Sequence, residues 1–145
     1  MTQKSEARPP GSGRLVLDLR AGDRMLVNGA ALQFRTRTSV MLGNRAQFLF
    51  GKQIMAQEEA CTPARRVYFA IQAAYVAEEA GRPDYIAAAR ELADEYSAAT
   101  TSEIARTILS TAIDALERGD CWEAMRSVRR LFTHDDAVLA YAGHP

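Results

Sequence analysis

The chain has 145 residues, 48% hydrophobic and 25% charged, with 18 Lys and Arg balancing 18 Asp and Glu. That suits one compact domain, or two small layers sharing a core, and excludes collagen-like, disordered and disulfide-scaffold classes. No stretch approaches the roughly 18–20 consecutive apolar residues that a membrane span requires, and a net charge of zero argues, at first sight, against a polyanionic partner.

Residues 1–13, with Arg8-Pro9-Pro10-Gly11-Ser12-Gly13, read as a disordered extension. Its basic residues have no apolar run behind them, so nothing marks it for secretion. From Arg14 to about Met55 the hydrophobic period is two. Leu15, Leu17 and Leu19 alternate with Val16 and Asp18 as a strand that Ala21-Gly22-Asp23 turns. Arg24–Val27 follows, then Asn28-Gly29, a strong hairpin signal because both residues tolerate positive φ. Leu32, Phe34, Thr36, Thr38, Val40 and Leu42 share one parity, while Gln33, Arg35, Arg37 and Ser39 share the other. This run reads as one bent strand or as two. After a second turn at Gly43-Asn44, Ala46, Phe48 and Phe50 alternate with Arg45, Gln47 and Leu49. The pattern predicts an antiparallel meander over residues 14–57, with one apolar face and one rich in Arg and Gln.

From Cys61 onward the period is helical. Thr62-Pro63 is an N-cap with Pro at the first helical position. Val67, Ala70, Ile71 and Ala74 then mark a face running to Gly81, a C-cap with Pro83 just beyond. A second helix over Asp84–Ser97 presents Ile86, Ala89, Leu92, Ala93 and Tyr96. Thr100 and Glu103 form a capping box for a third helix, with Ile104, Ile108, Leu109, Ala112 and Leu116 inward, which Gly119 ends. Asp120 and Glu123 cap a fourth, with Trp122, Met125, Val128, Leu131 and Phe132 inward, and residues 134–141 extend it or form a short tail helix. The expectation is an α+β fold: the β-meander, then a C-terminal bundle of about four helices over 58–145.

Dividing the chain at Gln57 takes the zero charge apart. Residues 1–57 hold nine cations and three anions, net +6, which leaves nine cations and fifteen anions, net −6, in the remainder. Such asymmetry suits a polyanion on the basic half, or two halves that complement each other. On one strand Arg35 and Arg37 would project about 7 Å apart, near the phosphate spacing of an extended single strand. Arg24, Arg45, Lys52, Arg65 and Arg66 complete the candidate RNA-binding set, since guanidinium groups stack on unpaired bases and pair with phosphates. Exposed arginine also protects strand edges, and first-turn cations such as Arg65 and Arg66 are equally well placed to pair with Glu58, Glu59 or a partner's acids.

No constellation for catalysis is present. His134 and His144 lack metal-ligand spacing and read as surface residues. Cys61, near a helix start, has no companion base, and Cys121 beside Trp122 reads as core. Two cysteines without metal-ligand spacing are too few for a disulfide framework, which suits a reducing cytoplasm. There is no dinucleotide or P-loop glycine motif. The expectation is a non-enzyme without cofactor or metal.

Taken together, LVLDLRAGDRMLVNGAAL, RTSVMLGNRAQFLFGKQIM and above all TPARRVYFAIQAAYV resemble the flagellar biosynthesis repressor family, FlbT, over about Leu15 to Leu131. The most specific part is Thr62–Phe69 with Gln72 and Tyr75; Gly22-Asp23-Arg24 and Val27-Asn28-Gly29-Ala30 come next. The resemblance implies a cytoplasmic post-transcriptional regulator that acts on the 5′ untranslated region of flagellin mRNA. Such proteins commonly repress translation or promote decay, sometimes activate, and act together with FlaF. The competing expectation is a protein-interaction module that binds flagellin, FlaF or a second copy of itself, with only an indirect effect on mRNA.

Overall fold

The computed structural model describes residues 15–28, 30–43 and 48–142, without the side chains of Lys52 and Ala142. Expectations for residues 1–13, Gly29, Arg45, Gln47 and His144 lie outside that range. Two compact units are present, one comprising Met1–Ile54 and Val76–Glu78, the other Met55–Tyr75 and Glu79–Pro145.

The first unit contains β1 (Leu15–Leu19), β2 (Arg24–Val27), β3 (Ala30–Gln33), β4 (Thr38–Leu42) and β5 (Phe48–Phe50). All pairings are antiparallel, but the strand order is not that of a plain meander. β1 pairs with β4 in one two-stranded sheet, and β2 lies between β3 and β5 in another. The turn explains why β1 does not form a hairpin with β2. The Asp23 carboxylate accepts the Arg20 N–H at 2.8 Å, Gly22 takes φ +92°, and the backbone of Gly22 and Asp23 bonds to Phe34 instead. β2 and β3 form an antiparallel pair, with Asn28 at φ +48° and Val27 opposite Ala30.

Period-two patterning holds best in the first sheet. Leu17 and Leu19 are buried, with Leu17 opposite Val40, while Val16 and Met41 form an outward-facing cross-strand pair. Residues 32–42 divide into two strands, because 34–37 form an irregular bend. Arg35 and Arg37 are therefore not one strand's neighbouring pleats, a correction to the expected 7 Å spacing. β5 also departs from alternation: Phe48 and Leu49 are both fully buried, as happens in a short strand covered on both faces. Leu32, placed on the apolar parity, is largely exposed, because β3 is the sheet's edge.

The second unit contains five helices: α1 (Pro63–Val76), α2 (Arg82–Ala99), α3 (Glu103–Glu117), α4 (Cys121–Arg129) and α5 (Phe132–Ala142). Of the two alternatives for residues 134–141, the separate tail helix is the one present, as α5. α1 stops at Val76. A 3-10 turn at Glu79–Gly81 leads into α2, where Gly81 is the N-cap at φ −93° and Pro83 lies in the first turn. Glycine followed by proline suits a helix start as well as a stop, which corrects the expected C-cap. Ser102, rather than Thr100, caps α3: its Oγ accepts the Ala105 N–H at 3.1 Å, and Glu103 pairs with Arg106. Gly119, at φ +79°, closes α3 as expected, and the Asp120 carboxylate caps α4 by accepting the Glu123 N–H.

The core of this unit follows the 3.6-residue pattern except at Ile104, expected inward but 73% exposed in the first turn of α3. Val67 and Ile71 of α1, Ala89 and Ala93 of α2, Leu109, Ala112 and Leu116 of α3, and Met125 and Val128 of α4 are buried. The buried residues of α2 are Ala89 and Ala93, and Ala105, Ala112 and Ala115 are buried on α3; such small side chains let packed helices approach closely.

Candidate nucleic-acid interface

The turn after β1 and the bend after β3 lie side by side. The β2–β3 ladder continues past both strands: the Gly22 N–H donates to the Phe34 carbonyl at 2.6 Å and the Phe34 N–H to Asp23 at 2.9 Å. Leu19 faces Thr38, and Arg24 faces Gln33. This brings four arginines to one end of the β unit, Arg20 and Arg24 flanking the turn and Arg35 and Arg37 within the bend. All four are exposed. Among the described residues none of the four side chains has an ion-pair partner. Segment 15–43 carries only two acids, Asp18 and Asp23, against these four cations. Unpaired, hydrated guanidinium groups at this density attract phosphate and can stack on bases.

Arg24, Arg35 and Arg37 of the expected set thus come together, by turn convergence rather than along a strand. Arg20 was not in the expected set; it lies between the strand Leu15–Leu19 and the turn. Its position against the Ala21-Gly22-Asp23 turn was the available signal. Arg45 lies outside the described residues, as does the Lys52 side chain.

Arg65 and Arg66 lie on α1, in the helical unit. Thr62 Oγ1 accepts the Arg65 N–H at 3.1 Å, as expected of an N-cap. The Arg65 guanidinium meets Asp136 of α5 through two hydrogen bonds of 2.7 and 3.1 Å and lies over the Phe132 ring, 4.7 Å from its centroid. Glu58 and Glu59 are not its partners. Asp136 in turn is held below the usual carboxylate range, chiefly by the Arg65 hydrogen bond.

Beside this pair, Asp135 is buried and joins three helices. One carboxylate oxygen accepts the Ala64 N–H at 2.7 Å, capping α1 from α5, and the other accepts the Tyr96 hydroxyl of α2. Burial, reinforced by Asp135, raises the Tyr96 phenol well above its ordinary value. Arg129 stacks over Tyr68 and donates to its hydroxyl at 3.0 Å, while Tyr68 meets Phe132 edge-on. Gln72 exchanges two hydrogen bonds with the Met55 backbone, and Tyr75 packs near Trp122. The segment Thr62–Tyr75 is therefore occupied largely with holding the helical unit together.

A cleft of about 570 Å3 opens in this unit, lined by parts of α1, α2, α5 and the α2–α3 connection, with Arg66, Glu95 and His134 among its walls. Cys61 is exposed. Cys121 is buried, and burial pushes its thiol up to about 11, which leaves it protonated and inert. Among the described residues, no group of three or more His, Cys, Asp or Glu is placed to hold a metal ion, and no helix is long and apolar enough to cross a membrane.

The model for the family described as flagellar protein FlbT matches residues 15–139. The chain belongs to the FlbT family. A relative in Brucella anthropi, named as a probable flagellum biosynthesis repressor protein FlbT, is 28% identical over 131 residues, covering 90% of this chain and 86% of its own. One from Caulobacter sp. strain K31, with the same name, is 29% identical over 88% of this chain and 97% of its own. A protein from Bradyrhizobium diazoefficiens, named as a probable flagellum biosynthesis repressor protein FlbT 2, is 34% identical over 86% and 90%. No solved structure matches. FlbT family membership, with relatives named as repressors, supports a regulatory role in flagellar expression.

Proposed function

We propose that the chain regulates flagellin expression after transcription. In this reading it binds the 5′ untranslated region of flagellin mRNA through Arg20, Arg24, Arg35 and Arg37, and represses translation or promotes decay. The observation that carries this reading is the convergence, at one end of the β unit, of four exposed arginines without an ion-pair partner among the described residues. Arg45 and Lys52 belong to the same basic half of the sequence. Arg65 contributes less, because its guanidinium already serves Asp136. No covalent step is involved: bound protein masks the ribosome-binding region or presents it to nucleases, and FlaF or flagellin modulates the outcome as a partner.

Replacing all four arginines by Glu tests the site. The side chains are exposed, so circular dichroism of the variant should match that of the unmodified chain. Affinity for a flagellin leader transcript, read by fluorescence anisotropy, should fall at least about a hundredfold, since each charged contact on a single strand is worth roughly 1 kcal/mol or more.

A second reading is a protein-interaction module acting on mRNA only indirectly. Val16 and Met41 favour it: they face each other across β1 and β4, and both are more than half exposed. A folded four-Glu variant with unchanged RNA affinity would decide for this alternative.

A further inference from the structure

Beyond Asp136, α5 reads Ala-Val-Leu-Ala-Tyr-Ala. Val138 is 53% exposed, Leu139 52% and Tyr141 82%. An apolar helical segment of this kind is ordinarily covered, and residues 137–141 are open to solvent. Val138 and Leu139 also form one wall of the 570 Å3 cleft, whose other apolar walls include Val67 of α1 and Leu92 of α2. Arg66 and Glu95 stand at the same cleft, both exposed and without an ion-pair partner among the described residues.

We propose that this face is a two-fold interface between two copies of the chain, the α5 of each copy seated in the cleft of the other. A two-fold contact uses the same patch on both molecules, so the patch must complement itself. This one does so in shape, since an apolar knob and an apolar hollow adjoin on one surface. It does so in charge as well: Arg66 and Glu95 are its exposed cation and anion, without an ion-pair partner among the described residues, while the carboxylate of Asp135, also in the lining, is buried and taken up by Ala64 and Tyr96. One exposed cation beside one exposed anion offers little attraction to RNA or to a strongly charged peptide. Area then fixes the mode of docking. Val138, Leu139 and Tyr141 expose on the order of 400 Å2, half of the ~800 Å2 per partner of a standard interface. Two α5 helices touching only each other are too little, so the cleft walls must be covered too.

Sedimentation equilibrium of the full chain between about 1 and 100 μM tests this. The unmodified chain is expected to dimerise, and Leu139→Glu combined with Tyr141→Asp to give a monomer with unchanged helical circular dichroism. Two charge reversals provide a test that does not depend on α5. Arg66→Glu and Glu95→Arg should each weaken self-association at least tenfold, and an equimolar mixture of the two should recover it as a heterodimer, because the reversed charges then meet across the two-fold. A chain that stays monomeric to 100 μM overturns the proposal. So does a dimer whose affinity neither the α5 variant nor the reversals alter, since it then forms through another surface. RNA affinity measured on the same α5 variant reads the arginine cluster separately.

Discussion

Asp135 shows what a single side chain does in this molecule. Its carboxylate satisfies an orphan N–H at the start of α1 and the hydroxyl of Tyr96, so removing it strands both. Asp135→Ala should cost about 2–3 kcal/mol, one buried and one part-buried donor losing their acceptor, whereas Asp135→Asn, which keeps one acceptor oxygen, should cost clearly less; urea unfolding distinguishes them. The Tyr96 phenol is raised by burial first and by Asp135 second. A raised value means that the fold favours the neutral phenol. Its contribution is complete below about pH 10, the ordinary tyrosine value, and fades as pH climbs toward the folded value. Unfolding midpoints measured above about pH 10 should therefore fall more steeply in the unmodified protein than in Tyr96→Phe, with parallel slopes below it. Thiol chemistry gives a third check at this scale. At pH 8 a maleimide should label Cys61 rapidly, and Cys121 only after denaturation, since burial holds its thiol at about 11. Two labels on the native protein would contradict the buried placement. Nothing local in the sequence identifies Asp135 or Asp136 as anchors. They lie 71 residues from Ala64 and Arg65, and no periodicity encodes a contact of that span.

Elements were legible where their signals are local. Asn28 takes positive φ between β2 and β3, as its residue type allows, and Gly119-Asp120 closes α3 and opens α4 for reasons confined to those two residues. Gly119→Ala should cost about 1 kcal/mol through its φ of +79°, and Asp120→Ala about 1 kcal/mol through the lost cap. Thermal unfolding with both singles and the double reads the two effects. Their neighbouring roles predict a double mutant that is not strictly additive. Elements were misread where one local pattern serves two structures. Gly81 with Pro83 fits the end of one helix and the start of the next. A run of alternating residues from 32 to 42 does not reveal the bend at 34–37. The β1–β4 pairing is a choice among several apolar ladders of equal parity, and it is decided by the backbone bonds that tie Gly22 and Asp23 to Phe34.

For the whole molecule, balanced charge is the sum of two different surfaces. The basic half carries net +6 and the acidic half −6, and the pairs within each differ in kind. In the helical unit Arg65, Arg90 and Arg106 are matched by carboxylates, whereas the turn and bend of the β unit leave Arg20, Arg24, Arg35 and Arg37 unmatched among the described residues. Net charge separated the halves from sequence alone, but only the fold separated structural arginines from available ones. The most direct test is the salt dependence of flagellin-leader binding. Each phosphate neutralised on a single strand contributes about 0.7 to the slope of log affinity against log salt. Replacing Arg20, Arg24, Arg35 and Arg37 by Gln should therefore lower the slope by about 3. An identical slope for the folded variant and the unmodified chain would contradict RNA binding through this cluster.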